Sequence, residues 1–195
     1  MKKSILIVLL IALLAVAVGV SGCLGGDDAN NTTNNSTNNS TNNTTNATPN
    51  ATFNNSSVII ESLPSGYELL AVKEVTADKE NIDGVTDALN GFSASYAAGS
   101  SNVYLSAFQT ENNSSAQAYV QSMIDAHNAK YPNSGNVTTV TVHDHNATLI
   151  TTNVTSGGST VERYTLAWAS GDKLVVVNGP ATYDQIKAIA EASDL

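Results

Sequence analysis

The chain has 195 residues, and its 17 Asp and Glu outnumber its 8 Lys and Arg, which gives a formal net charge of −9. This balance argues against a nucleic-acid partner, because phosphate backbones are bound by clustered Lys and Arg. Cys23 is the only cysteine, so the chain cannot form an internal disulfide framework or a cysteine-rich metal site.

Residues 1–22 have the pattern of a secretory signal peptide. Lys2 and Lys3 give a positively charged start, and residues 5–20 form an apolar run of 16 residues. A membrane-spanning helix needs about 20 such residues, so the run better fits the hydrophobic part of a signal peptide. The alternative is an uncleaved membrane helix.

The apolar run ends in Val20-Ser21-Gly22-Cys23. Small residues before a cysteine let the chain lie extended in a peptidase groove, and the cysteine sulfur can form a thioether to a lipid. This segment resembles the lipobox of bacterial and archaeal lipoproteins, with Val20 where Leu is commoner. The resemblance implies cleavage before Cys23 and a lipid anchor on that residue, which would hold the protein on the extracytoplasmic face of the cell membrane.

Residues 23–57 are predicted to form a lipidated, Asn/Thr-rich linker. A tetrad repeat fills residues 30–57 and offers almost nothing apolar to bury, so the segment cannot offset the entropy of folding and should be disordered. The 34 residues after Cys23 span at most about 120 Å when extended and roughly 30–35 Å as a flexible coil.

All twelve asparagines between Asn30 and Asn55 are followed two positions later by Ser or Thr without an intervening proline, which is the N-glycosylation acceptor pattern. A slipped repeat of Asn and Thr would also generate this pattern. The candidate positions are Asn30, Asn34, Asn38, Asn42, Asn46, Asn50, Asn54, Asn112, Asn136, Asn146 and Asn153. Asn113 begins a further sequon, and sequons at turns should be used preferentially. The lipobox followed by a sequon tether resembles surface lipoproteins of archaea, methanogens in particular.

Residues 58–195 are predicted to form one extracytoplasmic domain, and 138 residues suffice for a hydrophobic core. Residue patterning predicts strands at 67–75, 92–98, 103–108, 137–142, 147–154, 161–169 and 173–178. Amphipathic spacing predicts helices at 113–131 and 182–193, the second with a capping box of Thr182 and Gln185. Residues 76–90 remain open between a helical turn and a strand.

The predicted fold is α+β, an antiparallel sheet with two helices packed on one face. The one-face arrangement follows from two similar stretches, YAAG at 96–99 and WASG at 168–171, each followed by a strand and then a helix. The closing run from Tyr164 through Trp168 and residues 174–177 into the last helix resembles the end of extracytoplasmic α+β modules, PsbP-like ones among them. This resemblance implies no active site.

The best candidate for a metal site is His143-Asp144-His145. Residues two apart on a strand share a face, and imidazole with carboxylate suits zinc, copper or nickel. The other histidine, His127, belongs to the apolar stripe of the first helix. The alternative is an exposed hairpin turn, which the adjacent sequon at Asn146 favours, so we expect no metal and no other cofactor.

Neither a nucleophile elbow, a phosphate-binding loop nor an H-E-x-x-H motif occurs in the sequence. We therefore expect a non-enzymatic, membrane-anchored module that binds a sugar, an envelope polymer or a protein, or that supports the envelope. The alternative is an extracytoplasmic hydrolase or metal-dependent protein that uses His143 and His145. A binding module should leave the second face of the sheet open, with an exposed apolar or aromatic patch, whereas an enzyme should have a concave pocket with convergent titratable groups.

Overall fold

The computed structural model describes residues 53–195 as a seven-stranded antiparallel sheet with two helices. After a short 3-10 helix at Asn55–Val58, the elements in chain order are β1 (Tyr67–Thr76), β2 (Asn90–Ala98), β3 (Ser101–Gln109), α1 (Asn113–Lys130), β4 (Asn136–Val142), β5 (His145–Ser156), β6 (Ser159–Ser170), β7 (Lys173–Gly179) and α2 (Tyr183–Ala192). The predicted α+β class is confirmed. The predicted signal segment, the lipobox and the linker up to residue 52 lie outside the described residues.

The strand order across the sheet is β1-β2-β3-β7-β6-β5-β4. Hairpins connect β2 to β3 and join β4 through β7 in sequence, while α1 carries the chain from β3 to the far edge at β4. The last strand, β7, then returns to the middle and pairs with β3, so that Tyr104 lies opposite Asn178. The two halves of the chain therefore meet at the centre of one sheet.

The central strand β7 is buried on both of its faces. Leu174 and Val176 join one apolar cluster, whereas the alternating residues Val175 and Val177 join another. Since successive side chains of a strand point to opposite faces, the two clusters lie on opposite sides of the sheet. We name these sides the α1 face and the α2 face after the helix that packs on each.

On the α2 face, Trp168 packs against Ile186 and Ile189 of the closing helix. The indole N–H of Trp168 donates to the backbone carbonyl of Leu195 over 3.1 Å, which fixes the residues after α2 against the sheet. The capping box of Thr182 and Gln185 begins α2 as predicted. Burial of large apolar side chains contributes roughly 1.5–3 kcal/mol each, and this face holds most of them.

The first residues of the domain also lie on the α2 face. Tyr96 is fully buried, and its hydroxyl donates to the carbonyl of Val58 and accepts from the N–H of Ile60 over 3.1 Å. Further upstream, Phe53 packs edge-on against Phe92 with ring centroids 5.3 Å apart. Residues 53–57, which the sequence assigns to the linker, therefore make contacts with the domain.

On the α1 face, Met123 of α1 packs with Phe108 and with Ile82 and Val85 of the segment between β1 and β2. We name that segment, residues 77–89, the β1–β2 loop. It contains turns rather than the helix or strand left open at the sequence level. Gly84 makes the close approach possible, because a Cβ there would lie 2.3 Å from the carbonyl oxygen of Ser122 in α1.

Two details differ from the sequence prediction. The helices lie on opposite faces rather than on one face, because β7 buries both of its sides and each side needs its own cover. The sequence favours Asn113 or Ser114 as the cap of α1, but the cap is Asn112, whose side chain accepts from the N–H of Ser115. The remaining predicted strands and helices agree with the structure to within a few residues.

Candidate ligand groove on the α1 face

Of the two histidines predicted as a pair, one lies in the hairpin turn between β4 and β5 and the other lies in β5. His143 lies in the turn with φ of +49° and is exposed, whereas His145 begins β5. The ring of His145 stacks near Trp168 at 6.5 Å between centroids and an interplanar angle of 28°. His143 therefore lies in the exposed hairpin turn that the sequence favoured, and not on a strand face shared with His145.

Groups of three or more His, Cys, Asp or Glu side chains that could hold a metal ion do not occur within residues 53–195. Within the same residues, each helix is too short or too polar to cross a membrane. The predicted absence of metal binding at His143 and His145 stays a prediction.

A polar groove runs along the α1 face where α1 leaves the sheet uncovered. Its floor is a row of side chains in register across four strands, since Ser95 lies opposite Tyr104, Tyr104 opposite Asn178, and Asn178 opposite Thr165. Alternation places these side chains on the same face as Leu174 and Val176. A polar row beneath the β1–β2 loop is unusual, because covered positions on a sheet are ordinarily apolar.

The groove has two hollows that share Ile82 and Asn178 in their linings. The larger has a volume of about 330 Å³ and is lined by Tyr104, Ser106 and Asn178 with the Lys73–Glu80 ion pair. The smaller, of about 110 Å³, reaches the side chains of Thr165, Thr152 and His127, with Asn178 shared between the two.

Several polar groups of the groove have no hydrogen-bond partner in the part of the chain that the structure describes. These are the Tyr104 hydroxyl, the Asn178 carboxamide and the Thr165 hydroxyl, all on half-buried residues. Deeper in the floor, Ser106 donates to Ser93 over 2.9 Å and both are buried. Among residues 53–195, the buried side-chain atom without a partner is Thr76 Oγ1, so the polar atoms of Tyr104, Asn178 and Thr165 stay accessible to water or to a ligand.

The β1–β2 loop forms the wall of the groove and is held by three polar links. Glu80 pairs with Lys73 of β1 at 2.9 Å, and Asp83 pairs with Lys130 of α1 at 2.9 Å. The third is a hydrogen bond of 2.6 Å from the Tyr119 hydroxyl to Asp87.

Two of these links raise the pKa of the group that donates the hydrogen bond. The hydrogen bond to Asp87, with a smaller effect of burial, raises the pKa of Tyr119 to about 12. The carboxylate of Asp83 raises the pKa of Lys130. Since the charges at the rim are paired, the groove interior presents mainly neutral donors and acceptors.

His127 is the histidine nearest to the groove. It is buried on α1, and its Nδ1 lies 3.3 Å from the Thr152 hydroxyl. Within residues 53–195, carboxylate groups make no hydrogen bond to its ring, so the pair lacks the orienting third group of a hydrolytic triad. This arrangement can bind a polar ligand, but it does not have the form of a known nucleophile-activating site.

The sequons of the domain are all exposed. Asn112 and Asn113 lie at the start of α1, Asn136 begins β4, and Asn146 and Asn153 lie in β5. Within the linker sequons, Asn54 is described: it is exposed, and its side-chain oxygen accepts from the N–H of Ser56 over 3.0 Å.

Family models and curated proteins give no match to the chain. Among solved structures, the extracellular domain of PknH from Mycobacterium tuberculosis is similar at a TM-score of 0.38 and 16% identity, over 66% of this chain and 82% of that one. A likeness of this degree carries no conclusion about the function of this chain. The resemblances to archaeal lipoproteins and to PsbP-like modules stay predictions.

The groove residues were missed at the sequence level. Tyr104, Ser106, Thr165 and Asn178 lie in segments assigned correctly as strands, where alternation marks two faces but does not say that both are covered. One signal was present in β3, where Tyr104 and Ser106 are polar residues at alternate positions of an otherwise apolar strand and so needed a partner or a ligand.

Proposed function

We propose that the protein is a membrane-anchored, non-enzymatic surface lipoprotein whose domain binds an uncharged, hydroxyl-rich ligand, such as a neutral glycan of the cell envelope, in the groove of the α1 face. The observation that carries the proposal is the row of free neutral groups from Tyr104, Asn178 and Thr165 on the groove floor. Hydroxyls and a carboxamide both donate and accept, which matches the hydroxyl groups of a sugar.

The charges around the groove support a neutral ligand over an ionic one. Lys73 is already paired with Glu80, and Lys130 with Asp83. An anionic ligand would have to displace one of these carboxylates, and the chain as a whole carries a net charge of −9. Electrostatics therefore disfavour acidic polymers.

The position of the domain's first residues is compatible with this function. Phe53 and Val58 pack on the α2 face, so the chain enters the domain on the side opposite the groove. Residues 53–58 therefore leave the groove uncovered.

The test is binding of glycans released from the envelope of the native host and separated into neutral and acidic pools. Full-length protein in detergent micelles is titrated with each pool by calorimetry, together with Tyr104→Phe and Thr165→Val. The matched control is Thr151→Val, which makes the same Thr-to-Val change at a position of β5 on the α2 face, outside the groove.

We expect the neutral pool to bind and the dissociation constant to rise about 3- to 10-fold for each groove variant, the value for one lost hydrogen bond. Thr151→Val should bind like the original protein. Binding confined to the acidic pool, or equal binding by the groove variants and the original protein, would contradict the assignment.

A further inference from the structure

The sheet ends in two unlike edges. Edge strand β1 carries Glu68, Lys73 and Glu74, and its register with β2 is interrupted between Leu69 and Ala71. Charges and bulges of this kind are the usual means of preventing an edge strand from pairing with another chain. By contrast, β4 reads NVTTVTV, with regular pairing to β5 and with neither a charge nor a proline.

The uncharged edge coincides with the strand sequons. Asn136 begins β4, and Asn146 and Asn153 lie in β5 beside it, whereas the strands of the β1 side contain no sequon. Register and alternation place Asn136 and Asn153 on the α2 face and Asn146 on the α1 face. Carbohydrate on these residues would flank the edge on both sides of the sheet.

The side chains of these three asparagines are exposed and make no hydrogen bonds within residues 53–195. The sequons at the start of α1 differ, since the Asn112 side chain caps the helix and the Asn113 Nδ2 donates to the carbonyl of Gly171 over 2.9 Å. A glycan is attached through Nδ2, so Asn113 would lose this contact while the three strand asparagines lose none.

We propose that N-linked glycans on Asn136, Asn146 and Asn153 block the β4 edge from pairing with another chain. Without these glycans, this edge pairs with the β4 edge of a second copy. In the modification, the carboxamide nitrogen attacks C1 of the first sugar of a polyprenyl-phosphate-linked oligosaccharide. The C1–N bond forms, the C1–O bond to phosphate breaks, and the polyprenyl phosphate leaves while the amide gives up one proton to a base. The inference rests on export of the domain, which is part of the proposed function.

The sequence of β4 is suited to antiparallel pairing with itself about Thr139. In that register Thr138 lies opposite the partner's Val140, and Val137 opposite the partner's Thr141. The two residues of each pair are both even-numbered or both odd-numbered, so they lie on the same face of β4. The α1 faces of both copies therefore stay on one side of a continuous sheet. Thr138, Thr139 and Thr141 are all exposed, and Thr and Val are strong strand formers.

The test is a disulfide crosslink in native membranes with the full-length protein. Thr139→Cys is made in the original protein and in a triple variant with Asn136→Gln, Asn146→Gln and Asn153→Gln. Two antiparallel copies paired about position 139 bring these Cα atoms to about 4.5–5.5 Å, within disulfide range. The matched control is Thr160→Cys, an exposed position of β6 away from the edge, and Cys23 is common to both.

We expect a disulfide-linked dimer after mild oxidation for Thr139→Cys in the triple variant, at least tenfold above Thr160→Cys, and little dimer in the glycosylated background. Thr139→Lys in the triple variant should return the protein to a monomer in sedimentation analysis, because two like charges would face each other. Equal crosslinking at positions 139 and 160, or with and without the sequons, would overturn the proposal.

Mass spectrometry of the same preparations separates the two proposals. Glycans on the linker but not on the three strand asparagines would overturn the proposal that glycans block the β4 edge, and would leave the proposed surface location intact. Glycans absent from every sequon would overturn that proposal and would also count against the proposed surface location.

Discussion

Tyr96 joins the first residues of the domain to the middle of the sheet through one hydroxyl group. That hydroxyl donates to Val58 and accepts from Ile60 in a fully buried position, and burial raises the pKa of the phenol. Residues 58–60 follow directly on the predicted linker, and this contact fixes them to the sheet. The sequence placed the boundary at 58 from composition alone, since a tyrosine 36 residues after Ile60 cannot be recognised as the partner.

Tyr96→Phe should lower the free energy of unfolding by about 1–3 kcal/mol, because a buried carbonyl and a buried N–H both lose their partner. Urea unfolding followed by the fluorescence of Trp168 measures the change. Tyr104→Phe is the matched control on the neighbouring strand: its hydroxyl has no partner among residues 53–195, so stability should stay within about 0.5 kcal/mol. Equal losses in both variants would contradict this account.

His143 and His145 should bind zinc, copper or nickel no tighter than other exposed histidines. His143 occupies a turn with positive φ, His145 lies against Trp168, and neither belongs to a group of three ligands in the described part of the chain. A tetrahedral site with an open position needs three protein ligands. Calorimetric titration of tag-free protein should therefore show no stoichiometric binding. Micromolar or tighter binding that disappears in His143→Ala with His145→Ala would restore the metal hypothesis.

At the scale of elements, local sequence patterns predicted the positions of the strands and helices. They did not predict that the two helices pack on opposite faces of the sheet. The run Leu174–Val177 has no polar alternation, which is typical of a strand buried on both faces. This run alone argued for one helix on each side, against the arrangement suggested by the repeated YAAG and WASG stretches. The β1–β2 loop was not predictable, because its links to Lys130 and Tyr119 join residues more than 30 positions apart.

Gly84→Ala tests the contact between this loop and α1. The added methyl group would meet the Ser122 carbonyl at 2.3 Å, and φ at this residue is +85°. We expect a loss of more than about 2 kcal/mol in urea unfolding, from overpacking and backbone strain together. Gly99→Ala shares the positive φ, +63°, but has nothing within 4 Å, so it should cost only about 1–2 kcal/mol. Similar values for the two variants would show that the loop moves away without cost.

The hydrogen bond from Tyr119 to Asp87 makes the attachment of the loop sensitive to alkaline pH. In the folded protein the pKa of Tyr119 is raised to about 12 from its ordinary value of 10.0, so above pH 10 the unfolded chain loses this proton first. The stability that the bond contributes is complete below about pH 10 and is lost as the pH rises towards 12. Between pH 10 and 12, the free energy of unfolding should fall less steeply with pH in Tyr119→Phe than in the original protein. An identical pH dependence in the variant would exclude this bond as a cause.

At the scale of the whole molecule, the groove and the incoming chain lie on opposite faces of one sheet. Phe53 and the 3-10 helix pack on the α2 face, and the free polar groups of the groove lie on the α1 face. Residues 53–58 therefore do not cover the groove.

The proposed anchor is tested directly by mass spectrometry of protein purified from native membranes. We expect the first residue to be Cys23, with lipid on its sulfur and without the peptide that contains Lys2 and Lys3, because Val20-Ser21-Gly22-Cys23 follows the apolar run where a lipoprotein peptidase would cleave. In Cys23→Ala the sulfur is absent, so the uncleaved precursor should accumulate and retain that peptide. A peptide continuous across Gly22-Cys23 with an unmodified thiol, found in the original protein, would instead establish residues 5–20 as a retained membrane segment. The groove as described would be unaffected by that outcome, since its lining lies within residues 53–195.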